Sequence, residues 1–118
     1  MAHPAVPARV LATVEAALTM LREIAAQAQS ARTALDGRLG GGGRYEADVL
    51  INRADDIAWC NDRLSHFRAF APRNGVDPEA VLAALGGVPD LTPTSAAADW
   101  LRDSTRRQRQ GQSEYSPR

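Results

Sequence analysis

The sequence predicts an all-α protein built on a long antiparallel helical hairpin, and three observations lead to this fold class. Two stretches, residues 7–36 and 45–71, repeat apolar residues at heptad spacing, as the helices of a coiled coil do. Four consecutive glycines, residues 40–43, separate them and supply the backbone freedom that a tight helical turn requires. A chain of 118 residues with 44% apolar side chains is sized for one small domain.

The first helix is expected to begin near Pro7, after an extended leader of residues 1–6, because proline is tolerated in the first turn of a helix. It is expected to end near Gly37, since glycine commonly follows the last helical residue. Its heptad stripe consists of Val14, Leu21, Ala28 and Leu35. Many of its other apolar residues are alanines, which favour the helix but bury little area.

The second helix is expected to begin at residues 44–46 and to end before Pro72. One stripe of this helix faces the first helix, and it consists of Leu50, Ile57, Leu64 and Ala71. Further apolar residues point elsewhere, namely Val49, Trp59, Phe67 and Phe70. A two-helix hairpin leaves these aromatic side chains in water. Either the C-terminal segment with Trp100 and Leu101 folds back over them, or a partner or second copy covers them.

Two short helices are expected to complete a single helical domain over residues 7–101. Asp77 is a predicted N-cap for a helix over residues 78–85, which Gly86 and Gly87 end. Thr94 or Ser95 is expected to cap a last helix over residues 95–110. Residues 111–118 read as a disordered tail. A hairpin that buries so little area suggests that dimerisation completes a four-helix bundle.

The composition limits the class of function. All 14 cationic residues are arginines, which is typical of a high-GC bacterium or one of its phages and excludes chemistry that needs a lysine amine. The single cysteine, Cys60, favours a reducing cytoplasm. No apolar segment is long enough for a membrane span, and we see no signal peptide. The sequence therefore predicts a cytoplasmic protein.

No catalytic, cofactor-binding or metal-binding residues are expected. Asp48, Asp55 and Asp62 recur at seven-residue spacing, but that spacing places carboxylates about 10 Å apart along a helix, too far to share one ion. His66 follows Asp62 by four residues, which favours a simple contact between the two side chains. Cys60 and His66 point about 120° apart and do not form a nucleophile–base pair. The sequence predicts a protein that is not an enzyme.

One basic cluster lies near the C-terminus, and it consists of Arg102, Arg106, Arg107 and Arg109. Residues 102–118 hold five arginines and two acids, whereas residues 1–101 hold nine arginines and twelve acids. The cluster can bind phosphate backbones, bind an acidic protein surface, or only keep a tail in solution. Residues 79–102 also resemble helix-turn-helix units, although the connection over residues 86–94 is longer than their turn.

These patterns predict an interaction or assembly subunit that buries an aromatic face of its second helix against a protein partner or a second copy, most simply in a homodimer. The expected contact residues are Val49, Trp59, Phe67, Phe70 and Trp100. The alternative is a nucleic-acid-binding regulator that uses the last helix and its arginines. No small-molecule substrate and no membrane contact are expected.

Overall fold

The chain is helical in the part that the structure describes. The structure is a computed structural model; it describes residues 6–115, with side chains for residues 6–107. Residues 6–115 form six α-helices and one π-helical segment, without a strand, which confirms the predicted all-α class. In chain order these are α1 (Ala8–Ser30), the π-helical segment (Ala31–Asp36), α2 (Gly37–Leu39), α3 (Arg44–Asn52), α4 (Ala54–Arg73), α5 (Pro78–Ala84) and α6 (Ser95–Tyr115). None of these helices has both the length and the apolar character needed to cross a bilayer.

The chain divides into two compact units, each made of two segments of the sequence. The first unit contains the chain up to residue 26 together with residues 53–91. The second contains residues 27–52 and the chain from residue 92 onward. The divisions fall within α1, between α3 and α4, and in the loop before α6.

The first unit is built around one apolar core. Helices α1, α4 and α5 and the segments beside them contribute its buried side chains, which include Leu11, Val14, Leu18, Leu21, Leu64, Phe67, Val76 and Leu82. Cys60 is part of this core. Burial raises the pKa of its thiol, and the nearby Asp56 carboxylate acts in the same direction. The thiol is therefore protonated at neutral pH and is a packing group rather than a nucleophile.

The interior of the second unit is made mostly of small residues. Helix α3 packs against the π-helical segment and against α6. Four alanines are buried there, Ala28, Ala31, Ala47 and Ala97, together with Leu50 and the charged side chain of Glu46. Small side chains let helices approach closely but remove little apolar surface from water. Polar contacts and close backbone packing therefore have a larger role in this unit.

The π-helical segment interrupts the predicted heptad stripe of the first helix. Val14, Leu21 and Ala28 are buried as expected, but Leu35 is 45% exposed. A π-type turn contains one extra residue, so the side chains that follow are rotated by about 100° around the axis. The prediction for Leu35 is wrong because heptad spacing keeps residues on one face only while the α-helix stays regular.

The predicted second helix is two helices. Arg53 separates α3 from α4, with φ −105° and ψ 14°, and its Nε donates a hydrogen bond to Asp56 Oδ2 at 2.7 Å. Neither glycine nor proline marks this break, so the local sequence does not signal it. The consequence is that residues of α3 and α4 do not share one continuous helical wheel, and faces deduced across Arg53 are not valid. Helix α4 also includes Pro72, before which it was expected to end.

The two C-terminal helices begin where the caps were expected. The Asp77 side chain accepts a hydrogen bond from the Glu79 amide at 3.1 Å, and Thr94 Oγ1 accepts one from the Ala97 amide at 3.2 Å. Helix α5 is one residue shorter than predicted. Helix α6 extends to Tyr115, into the segment expected to be a disordered tail, of which residues 116–118 lie outside the described residues, as do residues 1–5 of the expected leader.

Candidate functional site

Five residues of α4 form one surface stripe, which we call the Trp–Arg stripe: Trp59, Arg63, His66, Phe70 and Arg73. Their spacing of three or four residues keeps them on one face of the helix. Trp59 is 38% exposed and Phe70 is half-buried. The guanidinium of Arg63 lies over the Trp59 ring, 5.4 Å from its centroid. The stripe therefore combines two accessible aromatic rings with cationic groups.

A groove of about 550 Å³ lies beside this stripe, between α1 and α4 in the first unit. Val14 and Phe67 are buried residues that line it, and the half-buried Val10 and Phe70 add further apolar surface. Three arginines, Arg9, Arg63 and Arg73, also line the groove. The groove thus has an apolar floor and a cationic edge.

The cations at this groove have few acidic partners. Asp62 lies 3.7 Å from Arg63 Nη1 and 3.6 Å from His66 Nε2, so one carboxylate serves two groups at long range. Its contact with His66 is the one expected from their four-residue spacing. Among the described residues, Arg9 and Arg73 form no ion pair. The edge of the groove therefore presents excess positive charge.

The five predicted contact residues occupy different environments. Trp59 and Phe70 belong to the first unit and are accessible, as the prediction requires. Phe67 is only 2% exposed and belongs to the core, so it is not available as a surface anchor; it faces inward like Leu64, one turn earlier. Val49 and Trp100 belong to the second unit, and both are half-buried. The Trp100 ring has Arg44 and Arg107 near its faces, 5.9 and 6.0 Å from the centroid.

The arginines of the predicted nucleic-acid-binding cluster pair with acids of their own helix. Arg102 contacts Asp99, and Arg106 contacts Asp103. Arg107 Nη2 lies 3.5 Å from the second oxygen of Asp103. The side chain of Arg109 lies outside the described residues. The positive charge of the described part of α6 is therefore largely neutralised within the helix.

A buried polar network in the second unit was not predicted. Glu46 is 0% exposed, and its Oε1 accepts hydrogen bonds from Arg32 Nε at 2.6 Å and the Thr94 amide at 3.1 Å. Its Oε2 accepts one from Thr94 Oγ1 at 2.9 Å. Arg32 Nη2 also donates to the Thr92 carbonyl at 3.1 Å. Both carboxylate oxygens of Glu46 are therefore hydrogen-bonded, as a buried charge requires, and we assign this network a structural role.

No sequence signal marks Glu46 as buried. It lies in the first turn of α3, where a solvent-exposed acid is common because it interacts favourably with the helix dipole. Its partner Thr94 is 48 residues away along the chain. No motif or spacing connects the two positions.

Among the described side chains, no group of three His, Cys, Asp or Glu residues is arranged to hold a metal ion. Comparisons with protein-family models, with curated proteins and with solved structures found no match for this chain. The groove and the Trp–Arg stripe are therefore the features from which a function is best argued.

Proposed function

We propose that this protein is a non-enzymatic helical interaction subunit that buries the Trp–Arg stripe of α4 against a protein partner or a second copy. The observation that supports this most directly is the exposure of Trp59 on a unit whose other described large apolar side chains are mostly buried. The other four residues of its stripe line an open groove. Tryptophan and arginine are the residue types most enriched at the energetic centres of protein interfaces. Phe70 and Arg63 extend the same surface.

The hairpin is part of this proposal. In the second unit, the π-helical segment and α3 lie on either side of the glycine turn, and Arg32 contacts Glu46 while Asp36 accepts a hydrogen bond from the Tyr45 amide at 3.0 Å. These pairs have the reversed order of an antiparallel hairpin. In the first unit, α1 and α4 share one core. Where the partner is a second copy, the form of self-association that we propose is a four-helix bundle. A reducing cytoplasm suits the lone, buried Cys60.

Site-specific photo-crosslinking tests the interaction surface. Trp59 is replaced by a photoreactive phenylalanine analogue in the full chain, and the cells that make it are irradiated. We expect one discrete protein adduct, because an anchor residue at the centre of an interface lies within reach of its partner. An adduct of twice the chain mass identifies a second copy, and any other discrete mass identifies a different protein.

Val88 supplies the matched control for this experiment. Its exposure, 41%, is close to the 38% of Trp59, and it belongs to the same unit, but it is not part of the Trp–Arg stripe. The same photoreactive group at residue 88 should give no discrete adduct. Phe70→Ala should lower the yield of the adduct at residue 59 at least tenfold. Equal crosslinking from residues 59 and 88 would contradict the proposed surface.

The alternative, a nucleic-acid-binding regulator, has less support because Asp99 and Asp103 neutralise much of the charge on α6. We expect a short duplex DNA to bind no more tightly than the general non-specific range of about 10⁻⁴–10⁻⁶ M at physiological salt. Fluorescence anisotropy with a labelled duplex measures this. A tighter complex that weakens steeply with salt and disappears when the chain is truncated after Leu101 would instead assign the function to α6.

A further inference from the structure

We propose that the groove between α1 and α4 binds an acidic amphipathic α-helix of a partner protein, an inference that rests on the proposed function and specifies the partner. Two properties of the first unit lead to it: the apolar floor of the groove, and cations on its edge that have few acidic partners among the described residues. Each property restricts the chemistry of the occupant. Together they favour one class of partner over a second copy of this chain.

The floor of the groove requires an apolar face on the occupant. Val10 and Phe70, from two neighbouring helices, supply its accessible apolar surface, and the buried Val14 and Phe67 also line it. A groove between two packed helices accepts the ridge of a third helix, whose apolar residues recur every three or four positions. An amphipathic helix buries such a stripe and keeps its polar side in water. An extended polar segment would leave the floor of the groove unfilled.

The edge of the groove requires negative charge on the occupant. Arg9 and Arg73 have no ion-pair partner among the described residues, and Arg63 shares Asp62 with His66 at distances above 3.5 Å. Carboxylates accept paired hydrogen bonds from a guanidinium group in a planar geometry that suits arginine. Acidic side chains that flank the apolar stripe of a bound helix can therefore reach these arginines.

Charge also argues against a second copy in this groove. In a two-fold dimer the same surface meets itself, so each copy would bring Arg9, Arg63 and Arg73 to an interface that already holds three arginines. Like charges placed together across an interface oppose association. An acidic partner converts the same three groups into attractive contacts.

Synthetic peptides test this inference with the full-length protein. The probe is a fluorescein-labelled 15-residue helical peptide with Leu at positions 1, 5, 8 and 12 and Glu at the flanking positions. Matched peptides carry Gln or Lys in place of Glu. Fluorescence anisotropy at physiological salt should show the Glu peptide binding at least tenfold more tightly than the Gln peptide, and the Lys peptide should not bind. Equal affinities for the Glu and Gln peptides, or no binding of the Glu peptide up to 1 mM, would overturn the inference.

Two matched double variants locate the binding site. The Arg9→Gln/Arg73→Gln variant should bind the Glu peptide at least tenfold more weakly. The Arg38→Gln/Arg102→Gln variant removes the same charge from exposed positions of the second unit, and its affinity for the peptide should change less than twofold. All four side chains are exposed, and circular dichroism checks that both variants remain folded. Equal losses of affinity for the Glu peptide in the two variants would show a general charge effect and overturn the inference.

Further probes distinguish an acidic helix from other anionic partners. They also distinguish failure of this inference from failure of the proposed function. Phosphatidylglycerol vesicles or duplex DNA that bind more tightly than the Glu peptide, and lose affinity in the Arg9→Gln/Arg73→Gln variant, would assign the groove to that partner and overturn the inference. An adduct at residue 59 combined with failure of the Glu peptide rejects the acidic helix and retains the interaction subunit. Absence of any adduct rejects both.

Discussion

Replacing Gly43 with alanine is expected to destabilise the second unit by about 2–5 kcal/mol. Gly43 has φ +89°, a conformation that is unfavourable for a residue with a Cβ atom. A Cβ built there would lie 2.3 Å from the Ala97 nitrogen and 2.5 Å from the Ala96 carbonyl carbon, which are backbone atoms of α6. Since backbone cannot move aside as a flexible side chain can, α6 must separate from the start of α3.

Gly40→Ala is the matched control. Gly40 also has a positive φ, +63°, but no atom lies within 4 Å of the position of an added Cβ. We expect it to lower the free energy of unfolding by only about 1–2 kcal/mol, the energy of the left-handed backbone conformation. Both changes restrict the unfolded chain in the same way, so this effect cancels in the comparison. Urea unfolding, followed by circular dichroism, measures the free energy of unfolding of both variants. Equal losses of this free energy would contradict the close contact between Gly43 and α6.

Replacing Glu46 with alanine is expected to lower the free energy of unfolding by about 3–5 kcal/mol. The change removes the acceptor of three hydrogen bonds from a fully buried position. It leaves the half-buried Arg32 guanidinium without its carboxylate, although Arg32 keeps its bond to the Thr92 carbonyl, and it leaves the Thr94 amide without that acceptor. Glu46→Gln keeps an acceptor oxygen but loses the charge, so its effect should be smaller, about 1–3 kcal/mol. The graded series separates loss of charge from loss of the whole group.

Glu79 provides the control for Glu46 because it is a glutamate in an exposed ion pair. Its Oε1 lies 2.8 Å from Arg68 Nε, and its side chain is 64% exposed. Glu79→Ala should therefore change the free energy of unfolding by no more than about 1 kcal/mol. If Glu46→Ala and Glu79→Ala have similar urea midpoints, the buried network is not a main source of stability in the second unit.

The sequence was most informative where structure depends on neighbouring residues. Asp77 and Thr94 were recognisable as N-caps because a cap bonds to an amide only two or three residues ahead. The positive φ values of Gly40, Gly42 and Gly43 agree with a run of glycines that marks a helical turn. In contrast, the π-helical segment and the break at Arg53 have no local marker, and both change which side chains share a face.

The candidate site was predictable only in part, because only some of its features depend on neighbouring residues. Trp59 and Phe70 stand out as apolar residues away from the main stripe of one regular helix, α4. Phe67 was predicted to be a surface contact because one helical wheel was drawn through residues 45–71. That wheel is not valid, since α3 ends before Arg53 and α4 begins after it. Arg9, Val10 and Thr13 were missed, since their proximity to α4 arises from the packing of α1 in the first unit.

By itself, the sequence determined the helical class, the glycine turn and the helix starts other than that of α4, because each depends on hydrogen bonds and backbone preferences within a few residues. Only the tertiary structure decided which polar groups are buried and which arginines form no ion pair within the described part of the chain. Glu46 is buried because Thr94, 48 residues away, completes its hydrogen bonds. Arg9 and Arg73 line one groove because α1 and α4 pack together. Contacts between residues so distant along the chain depend on packing, which no local pattern specifies.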